Sequence, residues 1–328
     1  MKRAAVPSIL VAAVLLAVGV TAEAQQPKKV PRIGMLIGPS SSFFSARMDA
    51  FREGLHDLGY VEGKNIVIEY RYAEGREDRF PDLAAQLVGL RVDVMVTTGT
   101  PATHAAKAAT STIPIVMSAI GDPVGAGLVS SLARPGGNIT GLAIFSTELS
   151  GKRLELLKES FPRISRVAIL WNPLNASASL SLKETQAASQ ALGLVLQLLE
   201  VRNPTDFGGA FELAIRGGAD ALLPINDALV NAHYKEILEF AGKNRLPAIY
   251  AVPEYANAGG LMSYAPNYTD HYRRTATYVD KILKGAKPSD LPVEQPKKFE
   301  FIINLKAAKQ IGLTIPPNVL ARADKVIR

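Results

Sequence analysis

The chain has 328 residues, 48% of them apolar, with 37 Lys and Arg against 30 Asp and Glu, a formal net charge of +7, and no cysteine. This length suits two domains of about 150 residues each. The missing cysteine excludes a disulfide framework and a lipid-modified cysteine anchor, so the fold must be held by its core. Basic residues are scattered without a dense run, which reads as solvated surface and disfavours a nucleic-acid partner.

Lys2 and Arg3 precede an almost uncharged run to Val20, and Ala22-Glu23-Ala24 follows ahead of Gln25. That is the pattern of a cleavable signal peptide over residues 1–24, with small residues where a signal peptidase reads. The apolar run contains a proline and barely reaches the length that a hydrocarbon core of about 30 Å requires, which disfavours an uncleaved anchor. The expectation is export to the periplasm as a soluble protein without a lipid anchor.

Residues 30–37 read as a buried strand ending at Gly38-Pro39-Ser40-Ser41-Ser42. Phe44, Met48, Phe51, Leu55 and Leu58 then recur at intervals of four and three, the apolar stripe of a helix that Gly59 ends. Strands at 65–72, 92–96 and 113–120 alternate with helices at 76–90 and 101–109. Residues 119–141 read as strand end, loop, a helix at 124–133, a break at Arg134-Pro135-Gly136-Gly137 and a further apolar run. The second half repeats the plan, with strands at 166–171, 194–201, 221–225, 248–252 and 260–264 and helices at 151–160, 180–192, 206–216 and 230–244. A long helix at 267–284 puts Tyr268, Tyr272, Ala276, Val279 and Leu283 on one face, before proline-rich segments and a last strand at 299–303.

Strands separated by single helices pair in parallel through right-handed crossovers. The fold class is therefore α/β, two Rossmann-like lobes with parallel sheets joined by hinge crossings. Lobe I is assigned residues 25–145 with about 265–297, and lobe II residues 146–264 with about 298–328.

In open parallel sheets ligands bind outside the carboxyl ends of strands, where helix starts present backbone N–H groups. Here those ends carry Ser41 and Ser42, Thr98 and Thr100, Asp122, Trp171, Asn226 and Asp227, Glu254 and Tyr264. Thr98, Gly99 and Thr100 suit an anion such as a carboxylate, because a glycine allows close approach beside a helix start; Thr100 as a plain helix cap fits equally well. Asp227 and Glu254 suit an ammonium group, or capping. Trp171 can stack on a ligand or pack in the core, and Asp122 before Pro123 reads first as a cap.

Catalytic patterns are missing: there is no Gly-x-Ser-x-Gly elbow and no Walker loop, and His56, His104, His233 and His271 have no metal-ligand spacing. Gly125-Ala126-Gly127 imitates a dinucleotide fingerprint, but the glycines come late and Ser130 stands at the third position. The reading is a binding protein with no cofactor and no metal, not an enzyme.

Gly121-Asp122-Pro123-Val124, Ala133-Arg134-Pro135-Gly136-Gly137-Asn138-Ile139-Thr140-Gly141, the run from Tyr278 to Pro288, Leu291-Pro292-Val293-Glu294-Gln295-Pro296, and Ile303 to Lys309 through Leu313-Thr314-Ile315-Pro316-Pro317 resemble the ABC-transporter substrate-binding protein family. The nearest group is the tryptophan/tyrosine type, whose fold is similar to type I periplasmic binding proteins. The resemblance implies a monomer that traps a small molecule, an amino acid or an aromatic relative of one, between closing lobes. It implies delivery to an inner-membrane permease with a cytoplasmic ATPase, and it leaves open a sensor that presents the same ligand to a membrane signalling receptor. Trp171, Tyr255 and Tyr264 are the stacking candidates for an aromatic ligand.

Overall fold

The structure, a computed structural model, describes residues 29–144 and 146–328, with the side chains of 146–148 excepted. The expected signal peptide lies outside the described residues.

Alternation of apolar strands with amphipathic helices builds a first sheet from β1 (Arg32–Ile37), β2 (Val67–Tyr72), β3 (Val94–Thr98), β4 (Ile115–Ile120) and β5 (Ile139–Ala143). Their order is β2-β1-β3-β4-β5 and every pairing is parallel. The crossover helices are α1 (Ser41–Asp57), α2 (Phe80–Gly89) and α3 (Thr100–Ala109). The Ser40 hydroxyl accepts the Phe43 N–H and starts α1, and the expected stripe Phe44, Met48, Phe51 and Leu55 is buried.

The second sheet follows through α4 (Ser146–Ser160), β6 (Arg166–Trp171), α5 (Ala176–Leu192), β7 (Val195–Glu200), α6 (Asp206–Arg216), β8 (Ala221–Pro224), α7 (Ala228–Ala232), α8 (Tyr234–Lys243), β9 (Ile249–Tyr250), α9 (Pro253–Asn257) and β10 (Met262–Pro266). The chain then makes α10 (Tyr268–Leu283), β11 (Phe299–Asn304), α11 (Leu305–Gln310), α12 (Pro317–Leu320) and β12 (Lys325–Ile327). The strands run β7-β6-β8 and β9-β10-β11-β12, and a parallel bridge from Leu222 to Ala248 joins the two groups.

One pairing departs from the parallel plan. β11 runs antiparallel to β10, because the chain leaves the second sheet at Asn267 and returns beside it, the Asn267 N–H bonding to the Lys298 carbonyl. Re-entering at the edge it left, the strand must run backwards. Between exit and return, α10 packs along α1, and Glu294 bridges to Leu142 at the end of the first sheet.

Three local expectations are corrected. Residues 124–133 form turns and no helix: the Asp122 carboxylate takes the Val124 and Gly125 N–H groups, and Gly127 sits at φ 66°, left-handed backbone that breaks a right-handed helix. The helix expected at 230–244 is interrupted at His233, which separates α7 from α8. The strand expected at 248–252 shrinks to two residues because α9 begins at Pro253, a residue suited to the first turn of a helix. No helix among the described residues is long and apolar enough to cross a membrane.

Candidate functional site

The carboxyl ends of β1, β3 and β4 face the end of β8 across a narrow cavity. One wall comes from the first sheet and its helices: Pro39, Phe44, Arg47, Thr98 to Pro101, Ala119 and Gly121, with Tyr268 and Tyr272 of α10. The other comes from the second: Asn175, Ser177, Asn226, Asp227, Ala228 and Asn231.

Local backbone chemistry shapes the first wall. Gly99, at φ 83°, turns β3 into α3 and is the residue before the first helical position, with no side-chain cap; Thr100 is therefore not the cap. The Thr98 hydroxyl accepts the Gly38 N–H at 3.2 Å and so ties two strand ends together. Ala119 holds φ 60°, an uncommon conformation for a residue with a side chain, and its N–H donates to His271 Nε2 at 3.2 Å. That bond assigns the ring proton to Nδ1. Burial drives the His271 pKa down to about 3, so the ring is neutral at physiological pH.

Arg47 is a buried cation within the apolar stripe of α1. Its Nε and Nη2 donate to the two carboxylate oxygens of Glu254 at 2.5 and 2.8 Å, and its guanidinium lies 3.8 Å from the centre of the Tyr268 ring. Burial opposes its charge, but the Glu254 carboxylate outweighs burial and the pKa is raised. The pair spans α1 and α9, one from each half of the molecule. Tyr268 and Tyr272 stand one helical turn apart. Burial pushes Tyr268 up to about 12 and raises Tyr272 as well, so both remain phenols. The Tyr268 hydroxyl has no hydrogen-bond partner among the described residues, and that of Tyr272 has Ser118 and Arg47 beside it.

On the facing wall, Asp227 caps α7. Its Oδ1 accepts the N–H groups of Leu229 and Val230, and its Oδ2 accepts Asn175 Nδ2 at 2.8 Å. Asn172 Nδ2 reaches both Asp227 Oδ1 at 3.4 Å and Glu77 Oε1 at 3.2 Å, which brings a carboxyl of the first half beside one of the second. Burial, then the Asp227 charge, pushes Glu77 up to about 8. Asp227 is raised by burial as well, against the donors that Asn175, Val230, Asn172 and Leu229 supply, so the two carboxyls titrate as a pair. Asn231 donates to Asn226 Oδ1 at 3.0 Å, and the buried Ser177 hydroxyl has no partner.

Of the residues expected at the site, Thr98, Thr100, Asn226 and Asp227 line this cavity together. Glu254 sits behind it, held by Arg47. Ser41 and Ser42 are exposed in the first turn of α1, and Asp122 closes its turn. Trp171 is half-buried against the core of the second sheet. Tyr264 stacks on Phe299 and meets the edge of Phe301. Tyr255, the further stacking candidate, is buried against Tyr250 and donates to the Val230 carbonyl. Sequence reasoning did not single out Arg47, Asn175, Ser177, Asn231, Tyr268 or Tyr272. For three of them the sequence carries a signal: a charge inside the apolar stripe of α1, and two tyrosines on a buried helix face where hydroxyls need partners. Among the described residues no group of three or more His, Cys, Asp or Glu converges as a metal site.

A family model described as "ABC transporter substrate binding protein" matches residues 38–327. A relative named "Tyrosine-binding protein" from Clostridioides difficile is 26% identical over 263 residues, covering 80% of this chain and 75% of its own length. A Streptococcus pneumoniae ABC domain in complex with L-Trp superposes with a TM-score of 0.84 at 27% identity, over 90% of this chain and 99% of that one. The ligand-free, open structure of a substrate-binding protein with adhesive properties from Clostridium difficile gives 0.64 at 25% identity, over 91% and 99%.

Proposed function

Starting from a chain that belongs to the ABC transporter substrate-binding protein family, we propose that it is the periplasmic receptor of an importer and that it closes two lobes around an amino acid. Substrate binding, not catalysis, is the family's activity. The observation that carries the reading is the cavity at the strand ends of both sheets, with polar groups from each. Strand-end crevices are where α/β folds bind ligands.

Two further observations support it. At like identity, this chain overlays more closely on the tryptophan complex than on the open, ligand-free relative. Arg47 with Glu254 and Asn172 with Glu77 join residues from opposite halves, contacts that exist only when the halves are together. The lobes are residues 25–145 with about 265–297, and 146–264 with about 298–328; the link near 266–268 and the return near 297–299 serve as hinges. Ligand favours the closed form through contacts made only there, and that form engages a permease with its ATPase. Residues 1–24 direct export, and the receptor acts as a monomer. An aromatic amino acid is the ligand class, in line with the names of the relatives.

Native mass spectrometry of freshly purified protein, followed by a thermal-shift screen of amino acids, tests the reading. L-tryptophan or L-tyrosine at one hundred times its Kd should add about 2.7 kcal/mol of stability. Absence of a retained amino acid together with flat melting curves across the screen would sink it.

A further inference from the structure

Residues lining the cavity carry three buried hydroxyls: those of Tyr268 and Ser177, 3% and 5% exposed, have no hydrogen-bond partner among the described residues, and that of Tyr272, 0% exposed, has only Ser118 and Arg47 beside it. Leaving a buried polar group unpaired costs roughly 1–3 kcal/mol, so the Tyr268 and Ser177 hydroxyls call for a partner, and the Tyr272 phenol, beside its neighbours, still has a proton to donate. Tyr268 and Tyr272 lie one turn apart on α10, on the wall that also carries Arg47 and the start of α3. That wall is rich in donors, and Glu254 neutralises its one cation. Ser177 lies on the facing wall with Asp227, whose Oδ2 accepts Asn175 Nδ2. One side of the cavity therefore offers donors and the other a carboxylate with a neighbouring hydroxyl.

We propose that Tyr268, Tyr272 and Ser177 are specificity determinants that read the two charged groups of an α-amino acid, the phenols donating to its carboxylate and Ser177 accepting from its ammonium beside Asp227. The phenols stay protonated at physiological pH and serve as donors. A hydrogen bond to an ionic group is stronger than one between neutral groups, so the ligand gains most at these three atoms. Phe44, at the edge of the Tyr272 ring, leaves the remainder of the ligand an apolar neighbour. This inference rests on the reading of the protein as an amino-acid receptor and assigns which atoms enforce it.

Calorimetry on the full mature chain tests it with four probes: L-tryptophan, L-tyrosine, tryptamine, which lacks the carboxylate, and indole-3-propionate, which lacks the ammonium. Tyr268→Phe and Tyr272→Phe should each weaken L-tryptophan about tenfold, the scale of one hydrogen bond to a charged group, and leave tryptamine unchanged. Ser177→Ala should weaken L-tryptophan and tryptamine alike and leave indole-3-propionate unchanged. The ligand-free Tyr268→Phe and Ser177→Ala variants should melt no lower than the parent, because each change removes an unpaired hydroxyl; a merely structural role would lower them. Phenylalanine variants that bind L-tryptophan like the parent, or lose tryptamine equally, overturn the assignment alone. A parent protein that binds neither amino acid overturns the assignment and the receptor reading together.

Discussion

Arg47 shows how much one side chain can decide. A guanidinium in an apolar helix stripe is tolerated because Glu254 meets two of its nitrogens and Tyr268 covers its face. Breaking one partner of a buried pair strands the other charge, at a cost of about 3 kcal/mol or more. Glu254→Gln should therefore lower the urea midpoint markedly; a midpoint within error of the parent would show that the pair contributes nothing. Glu77 carries a pH dependence. Its carboxyl is raised from 4.5 to about 8 in the fold, so between those values the folded protein holds a proton that the unfolded chain has released, and stability falls as pH rises. Below about 4.5 the contribution is fully present, and it is lost by about 8. Denaturation curves across that window should show this decline, and Glu77→Gln should flatten it; an equal slope in the variant would assign the effect elsewhere.

At the scale of elements, α7 is seated by what its neighbours lack. A Cβ at Gly38 would lie 2.6 Å from the Ala228 Cβ, and one at Gly75 would lie 2.5 Å from that of Ala232. Ala228 and Ala232 are one turn apart on α7, and the Gly75 N–H bonds to the Gly38 carbonyl. The two glycines thus form one floor in the first half for a helix of the second. Gly38 has no positive φ, so Gly38→Ala adds only a clash. It should weaken L-tryptophan binding about tenfold, the equivalent of 1.4 kcal/mol, and Ala228→Gly in the same chain should restore it. Failure of that rescue in calorimetry would remove the seat from the closing contact. The turns at 122–130 teach a related lesson: apolar spacing there suggested a helix, but Gly127 in left-handed backbone and the Asp122 turn overrode it. Leu128 and Val129 are buried all the same.

At the scale of the whole molecule, one apolar cluster runs from Met35 and Val96 of the first sheet to Leu222 of the second and Tyr255 of α9, with Phe43 of α1 touching Tyr234 and Tyr255. The halves are therefore joined by both apolar and ionic contacts, and the proposed opening would expose part of each. Small-angle scattering should show a smaller radius of gyration with L-tryptophan than without it; identical curves, with binding proven in the same sample, would exclude hinge closure. The sequence by itself determined the α/β class, most of the strands and helices, and the family, because hydrophobic period, glycine and proline punctuation and the Arg134-Pro135-Gly136-Gly137 stretch are local signals. It also placed Thr98, Thr100, Asn226 and Asp227 at strand ends, where topology alone puts ligands. Only the tertiary structure decided that α10 crosses back to α1, that Arg47 meets Glu254 across 207 positions, and that Tyr268, Tyr272 and Ser177 line one cavity. Periodicity reports which face of a helix is buried, whereas the partner buried against that face is set by contacts between residues far apart in the chain.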